Sequence, residues 1–242
     1  MGIVIPPRYF DTSTQELQAL SPGIEVLHTQ MRFDRSFGYT LDEMPATAGE
    51  IEQCAIALAD AGADVVVQVG MPFSWMHGWH RATQIQQSIS DRIGAPFEMM
   101  GLAPTTGVMA LGATRVAVAS AYYPLEWTER YCAFLIEAGL DIVGTQDFFD
   151  QGLVADREAA WAQSFVGFEP GLVIDSVVKV GESFPEAEAI IVPGKPGTFI
   201  HLLADAEAAI DRPIVSYHAL WWQCLSHLGL TPARPSGRLL AL

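Results

Sequence analysis

Two segments of the chain, Gly70-Met71-Pro72 and Gly194-Lys195-Pro196, set a glycine, one other residue and a proline directly after an apolar run. The runs are Asp64–Val69 and Glu188–Pro193. A glycine there lets backbone approach a ligand closely, and a following helix offers free N–H groups to an anion. A carboxylate is the group that such loops would serve. A glycine after a strand is also an ordinary tight turn.

Other side chains near these loops carry usable chemistry. Lys195 could bind a carboxylate, or act as acid or base if an apolar pocket lowered its pKa. Tyr122 follows the apolar run Arg115–Ser120, where a phenol can donate to a developing enolate. The stretch Phe73–Arg81 offers aromatic walls and two histidines, His77 and His80, as acid or base. Its Trp75 and Trp79 are also spaced to pack one helix face. Lys195, Tyr122, His77 and His80 are therefore the catalytic candidates. Pro6, Gly70, Met71, Ser74, Tyr123, Gly194 and His218 are the expected substrate-lining residues. Tyr217 and His218 follow the last apolar run, where helix packing is the competing reading.

The elements that must position these residues alternate. Strands are expected at Ile3–Ile5, Ile24–His28, Asp64–Val69, Phe97–Met100, Arg115–Ser120, Asp141–Thr145, Ala189–Val192 and Pro213–Ser216. Runs such as Val65-Val66-Val67 suit strands buried on both faces, as in a parallel sheet covered by helices. Helices are expected at Thr47–Ala61, Ala82–Ile93, Thr105–Leu111, Leu125–Ala138, Asp156–Phe165, Gly171–Val180, Thr198–Ala209 and Ala219–Leu228. Thr47 and Glu50 have capping-box spacing, and Gly62 can close that helix. The order of parts repeats. Gly94-Ala95-Pro96-Phe97 parallels Asp211-Arg212-Pro213-Ile214, and each proline stands equally far before a helix-ending glycine, Gly112 or Gly229. The reading is an α/β fold of two pseudo-symmetric Rossmann-like halves with parallel sheets and an interdomain active-site cleft. One half takes residues 1–112 plus 217–242, and the other 113–216. The segment Arg8–Pro45, rich in aromatic and charged residues, could form a lid.

Composition narrows the function. The chain has 242 residues, half of them hydrophobic, and a formal net charge of −15. That charge argues against nucleic acid as a partner, though not against a small anion. No apolar run reaches the ~18–20 residues of a membrane helix, and the N-terminus reads as a strand rather than a signal peptide. Cys54, Cys132 and Cys224 are widely spaced, with no disulfide or zinc pattern, which fits a reducing cytoplasm. Each lies in a helical pattern, where a free cysteine usually behaves as a small hydrophobe. There is no GxGxxG after a strand, Walker loop, GxSxG or HExxH, so no cofactor and no metal are expected.

The chain resembles the aspartate/glutamate racemase superfamily, in particular maleate isomerase and arylmalonate decarboxylase. The residues that carry this are Gly2-Ile3-Val4-Ile5-Pro6-Pro7, Leu58–Gly78, Gly107–Tyr122, Ala133–Gly144 and Ile190–Ser216. The resemblance implies two α/β halves with the active site between them, and a tyrosine after the central strand, matched by Tyr122. Racemases and isomerases of this group use a cysteine after the key strand of each half, and arylmalonate decarboxylase retains only the second. Gly70 and Gly194 stand at those positions. Met71 and Pro72 stand where the family has hydroxyl residues.

The expected function is a cofactor-independent lyase, of decarboxylase type, or an isomerase. It would act on a small carboxylate through an enolate-like intermediate without catalytic cysteines. A non-catalytic small-molecule binding protein on the same fold is one alternative, and a hydrolase using a histidine-activated water is another. A homo-oligomer stays open.

Overall fold

The structure is a computed structural model and describes residues 1–7 and 11–242. The chain divides into two compact units, Met1–Ala103 with Leu220–Arg234, and Pro104–Ala219 with Pro235–Leu242.

The first unit contains β1 (Gly2–Ile5), α1 (Ser13–Leu20), β2 (Leu27–Gln30), α2 (Ala48–Asp60), β3 (Val66–Gln68), α3 (Pro72–Trp75), α4 (Trp79–Ile93) and β4 (Phe97–Met99). Its sheet has the order β2-β1-β3-β4 and every pairing is parallel. The inner strands β1 and β3 are almost wholly buried, which suits their apolar residues Ile3, Val4, Val66 and Val67. α2 buries Ile51, Cys54, Ala55 and Leu58, the stripe of a helix lying on a sheet. It stops where Gly62 takes φ +89°, and α4 stops at left-handed Gly94.

The second unit contains all but the first residue of α5 (Ala103–Ala110), then β5 (Arg115–Ala121), α6 (Leu125–Glu137), β6 (Asp141–Asp147), α7 (Arg157–Ser164), α8 (Pro170–Ser183), β7 (Ala189–Ile191), α9 (Leu203–Ile210), β8 (Ile214–Val215) and the start of α10 (His218–His227). Its sheet order is β6-β5-β7-β8, again all parallel. Relabelled from the first strand of each half, both orders are 2-1-3-4. The α/β class and the repeat are therefore present. Gly70 follows β3 and Gly194 follows β7, so they occupy corresponding turns.

Local details depart from the expectations. The Thr47–Glu50 capping box does not form. Thr47 is already near helical geometry after the 3-10 turn Met44–Thr47, and its hydroxyl donates backward to the Met44 carbonyl. Glu50 instead accepts the Arg32 backbone N–H at 2.8 Å. Trp75 and Trp79 do not share a helix, because Gly78 at φ +76° separates α3 from α4. The expected helix Thr198–Ala209 starts as a 3-10 turn, Ile200–Leu202, before α9. The lid segment Arg8–Pro45 contains α1 and β2, and its first residues Arg8, Tyr9 and Phe10 lie outside the described residues.

Candidate functional site

Ligands of open parallel sheets bind beyond the carboxyl ends of the strands, so each half is built from there. In the second half, β5 ends at Ala121, whose φ of +56° is rare for a residue with a Cβ. That left-handed residue turns the chain before Tyr122 and Tyr123. The Gly194 turn, at φ +74°, comes up beside them. A Cβ at Gly194 would fall on the Tyr122 hydroxyl and within 3.2 Å of the Tyr123 ring. Glycine is thus required twice, by backbone angle and by the close approach of the phenol.

The Tyr122 hydroxyl accepts the Lys195 backbone N–H, and burial pushes its pKa well above the usual phenol range. Tyr122 therefore stays protonated and keeps an O–H to donate. The Lys195 ammonium lies over the Tyr217 ring, 5.0 Å from its centroid, within cation–π range. Tyr122, Tyr123, Gly194 and Lys195 form one contiguous group.

An aromatic cover stands over this group. The Tyr122 ring stacks on Phe168 at 5.8 Å and approaches Trp161 of α7 at 6.2 Å. Trp161 also meets Trp127 edge-on at 4.7 Å. Phe168 donates its N–H to the Pro196 carbonyl, which ties the cover to the glycine turn. Arg157, the first residue of α7, donates through Nε to buried Asp147 and through Nη2 to Asp150, and so anchors α7 to the end of β6. Trp161, Phe168 and Arg157 were not singled out in the sequence. The available signal was an aromatic-containing insert between a strand and its helix, as in the first half.

In the first half the corresponding turn is apolar. Gly70, at φ +98°, donates its N–H to the Met100 sulfur at 3.3 Å. A Cβ there would meet Phe73 at 3.0 Å and Pro6 at 3.3 Å. Met71 is buried. Ser74 is fully buried, with its hydroxyl donating to the Met71 carbonyl and accepting the Gly101 N–H. Both functions of that hydroxyl are engaged in holding the turn. Phe33, Phe37 and Tyr39 cluster on Phe73 with centroid separations of 5.9, 6.4 and 5.9 Å. These aromatics come from the expected lid segment. Beside them is a cavity of about 360 Å³ lined in part by Arg32, Phe33, Phe37 and Glu43.

The histidines separate. A ring N–H of His77 donates to the Phe73 carbonyl, while among the described residues its Nε2 has no hydrogen-bond partner. Burial and then the nearby Arg81 charge lower its pKa, which favours the neutral ring. His80 is exposed on the first turn of α4. His218 is fully buried at the start of α10. The three thiols have raised pKa values. Burial is the main cause in each, and Cys132 reaches about 11.

The fold defines a two-repeat α/β protein with one four-stranded parallel sheet in each repeat. A family model for arylmalonate decarboxylase matches residues 1–240, and the chain belongs to that family. The arylmalonate decarboxylase of Bordetella bronchiseptica is 26% identical over 185 residues, covering 75% of this chain and 73% of that protein. The solved structure of unliganded arylmalonate decarboxylase superposes with a TM-score of 0.81 at 23% identity, covering 99% of this chain and 97% of the other. The maleate isomerase Iso of Pseudomonas putida S16 gives 0.76 at 20% identity, covering 99% and 96%. A Nocardia farcinica maleate cis-trans isomerase variant, solved with a covalently bound succinylcysteine intermediate, gives 0.73 at 23% identity, also covering 99% and 96%. Family membership makes this chain an enzyme of the lyase kind. Among the described residues no helix is long and apolar enough to cross a membrane.

Proposed function

We propose that the chain is a cofactor-independent decarboxylase of malonate-type small carboxylates, with its polar chemistry at the carboxyl end of the second sheet. The observation that carries this is the group formed by Tyr122, Gly194 and Lys195. Decarboxylation breaks the bond to one carboxylate, releases CO₂ and leaves the electron pair as an enediolate on the carboxylate that remains. Tyr122, protonated because it is buried, donates to the enediolate oxygen as charge develops. The Lys195 ammonium pairs with the retained carboxylate. A proton supplied by water then adds to one face of the carbon and gives the product monocarboxylate. The aromatic cover of Tyr122, Trp161 and Phe168 supplies an apolar surround, in which these charge interactions are stronger than in water.

Decarboxylation is favoured over cis–trans isomerisation by the state of the thiols. The Nocardia farcinica relative carries its intermediate on a cysteine. Here Cys54, Cys132 and Cys224 sit on α2, α6 and α10, and their raised pKa values disfavour the thiolate.

The test is incubation of the purified protein with phenylmalonate and, separately, with maleate, followed by proton NMR. The expected result is phenylacetate and CO₂ from the first and no fumarate from the second. Fumarate formation without decarboxylation would overturn this reading.

A further inference from the structure

His218 is buried to 0% exposure, and among the described residues neither ring nitrogen has a hydrogen-bond partner. A neutral imidazole carries one N–H donor and one lone-pair acceptor, and buried polar atoms are nearly always paired. The neighbours Ser216 and Ala219 obey that rule. Ser216, two residues earlier, donates its hydroxyl to the Val192 carbonyl at 2.7 Å. Ala219 donates its N–H to the Ser216 carbonyl. Both polar atoms of the His218 side chain are left over beside these paired groups.

The position of His218 relates it to the group already described. It follows β8, which pairs with β7, the strand that leads into Gly194 and Lys195. The Tyr217 ring carries the Lys195 ammonium at 5.0 Å and meets the His218 ring edge-on at 6.4 Å. Lys195, Tyr217 and His218 therefore run in sequence along the carboxyl end of this sheet. Burial pushes the His218 pKa down to about 3, so the ring is neutral at physiological pH. A neutral imidazole can donate to a developing oxyanion without giving up its proton.

We propose that His218 is a ligand-contacting residue of the second half, whose ring N–H hydrogen-bonds an oxygen of a small carboxylate ligand. Its substrate class rests on the decarboxylase reading. His218 would supply a neutral donor, where Lys195 supplies the charge and Tyr122 the phenol. The competing account is a core histidine with no ligand role. Without ligand both accounts make an apolar side chain in place of this buried imidazole stabilising. They differ only when ligand is present, because only a ligand-contacting His218 makes His218→Leu lose binding energy.

The experiment uses the full chain labelled with ¹⁵N-histidine and titrated with malonate, with His218→Asn to assign the ring signals. His218→Leu and His218→Asn are then compared with wild type for Tm, malonate affinity by calorimetry and turnover of phenylmalonate. The expected results are a saturable shift of the His218 ring nitrogens, a malonate-induced rise in Tm that is smaller for His218→Leu than for wild type, and a roughly 100-fold loss in kcat on removing one oxyanion donor. His218→Asn should recover part of that loss. Malonate binding that leaves the His218 ring signals and the His218→Leu affinity unchanged would overturn the proposal. Wild-type binding without turnover would overturn only the decarboxylase reading. Absence of both overturns the two together.

Discussion

The two glycine turns share a backbone plan and differ in the side chains that touch the glycine. Gly70 and Gly194 both have positive φ and both follow the third strand of a 2-1-3-4 parallel sheet. Around Gly70 the neighbours are Met100, Phe73 and Pro6, and the nearby Ser74 hydroxyl is engaged by backbone on both sides. Around Gly194 they are the phenol of Tyr122 and the Tyr123 ring, with Lys195 next in the chain. Each turn also has an aromatic insert over it, Phe33, Phe37 and Tyr39 in one half and Trp161 and Phe168 in the other. A repeat fixes where chemistry can be placed, and individual side chains decide which copy carries it.

The sharpest way to break that comparison is to add one methyl group to each turn. Gly194→Ala would force the Tyr122 hydroxyl aside, so turnover should fall by about 100-fold or more, as for loss of an oxyanion donor. Gly70→Ala meets side-chain atoms of Phe73 and Pro6 that can shift, and carries mainly the left-handed backbone penalty of roughly 1–2 kcal/mol. Its expected signature is a lower Tm with a smaller loss of turnover. Equal losses of turnover from the two variants, measured beside their Tm values, would remove the asymmetry.

Tyr122→Phe and Lys195→Met separate the two roles assigned to the second turn. Loss of the phenol should lower kcat with little change in KM, because that hydrogen bond strengthens as charge develops. Loss of the ammonium should weaken ligand binding by about 1.5–3 kcal/mol. If Lys195→Met lowers turnover more than binding, Lys195 is the proton donor instead of the anchor.

The sequence exposed the repeat because the buried inner strands leave short apolar runs, Val65-Val66-Val67 in one half and Ala189–Ile191 in the other. It exposed Gly194, Lys195 and Tyr122 as neighbours of those runs. It did not show that the Ser74 hydroxyl is held by Gly101, or that Trp161 reaches Tyr122, because both contacts join segments far apart in the chain. The Thr47–Glu50 capping box was misleading for a local reason. A 3-10 turn ahead of α2 redirects the Thr47 hydroxyl, and the Arg32 N–H claims Glu50.

A smaller effect tests the scaffold beneath the second turn. Glu188, just before β7, accepts backbone N–H groups of Thr114 and Arg115 and the Arg115 guanidinium. These bonds, the backbone pair first, lower its pKa to about 2 from an ordinary 4.5. A depressed carboxyl stabilises the fold above its unfolded pKa and loses that contribution as pH falls through the folded value. Glu188→Gln should therefore lower the urea midpoint at pH 7. The gap from wild type should narrow between pH 4.5 and about 2. A gap independent of pH would assign the effect to shape rather than charge.

The central claim is that this family member works without a thiol. The direct measurement is phenylmalonate turnover by a folded chain in which Cys54, Cys132 and Cys224 are all replaced by alanine. The account predicts kcat within a few-fold of wild type, with the far-UV circular dichroism spectrum unchanged. Loss of turnover with that spectrum intact would contradict it and identify one of the three as the nucleophile or proton donor.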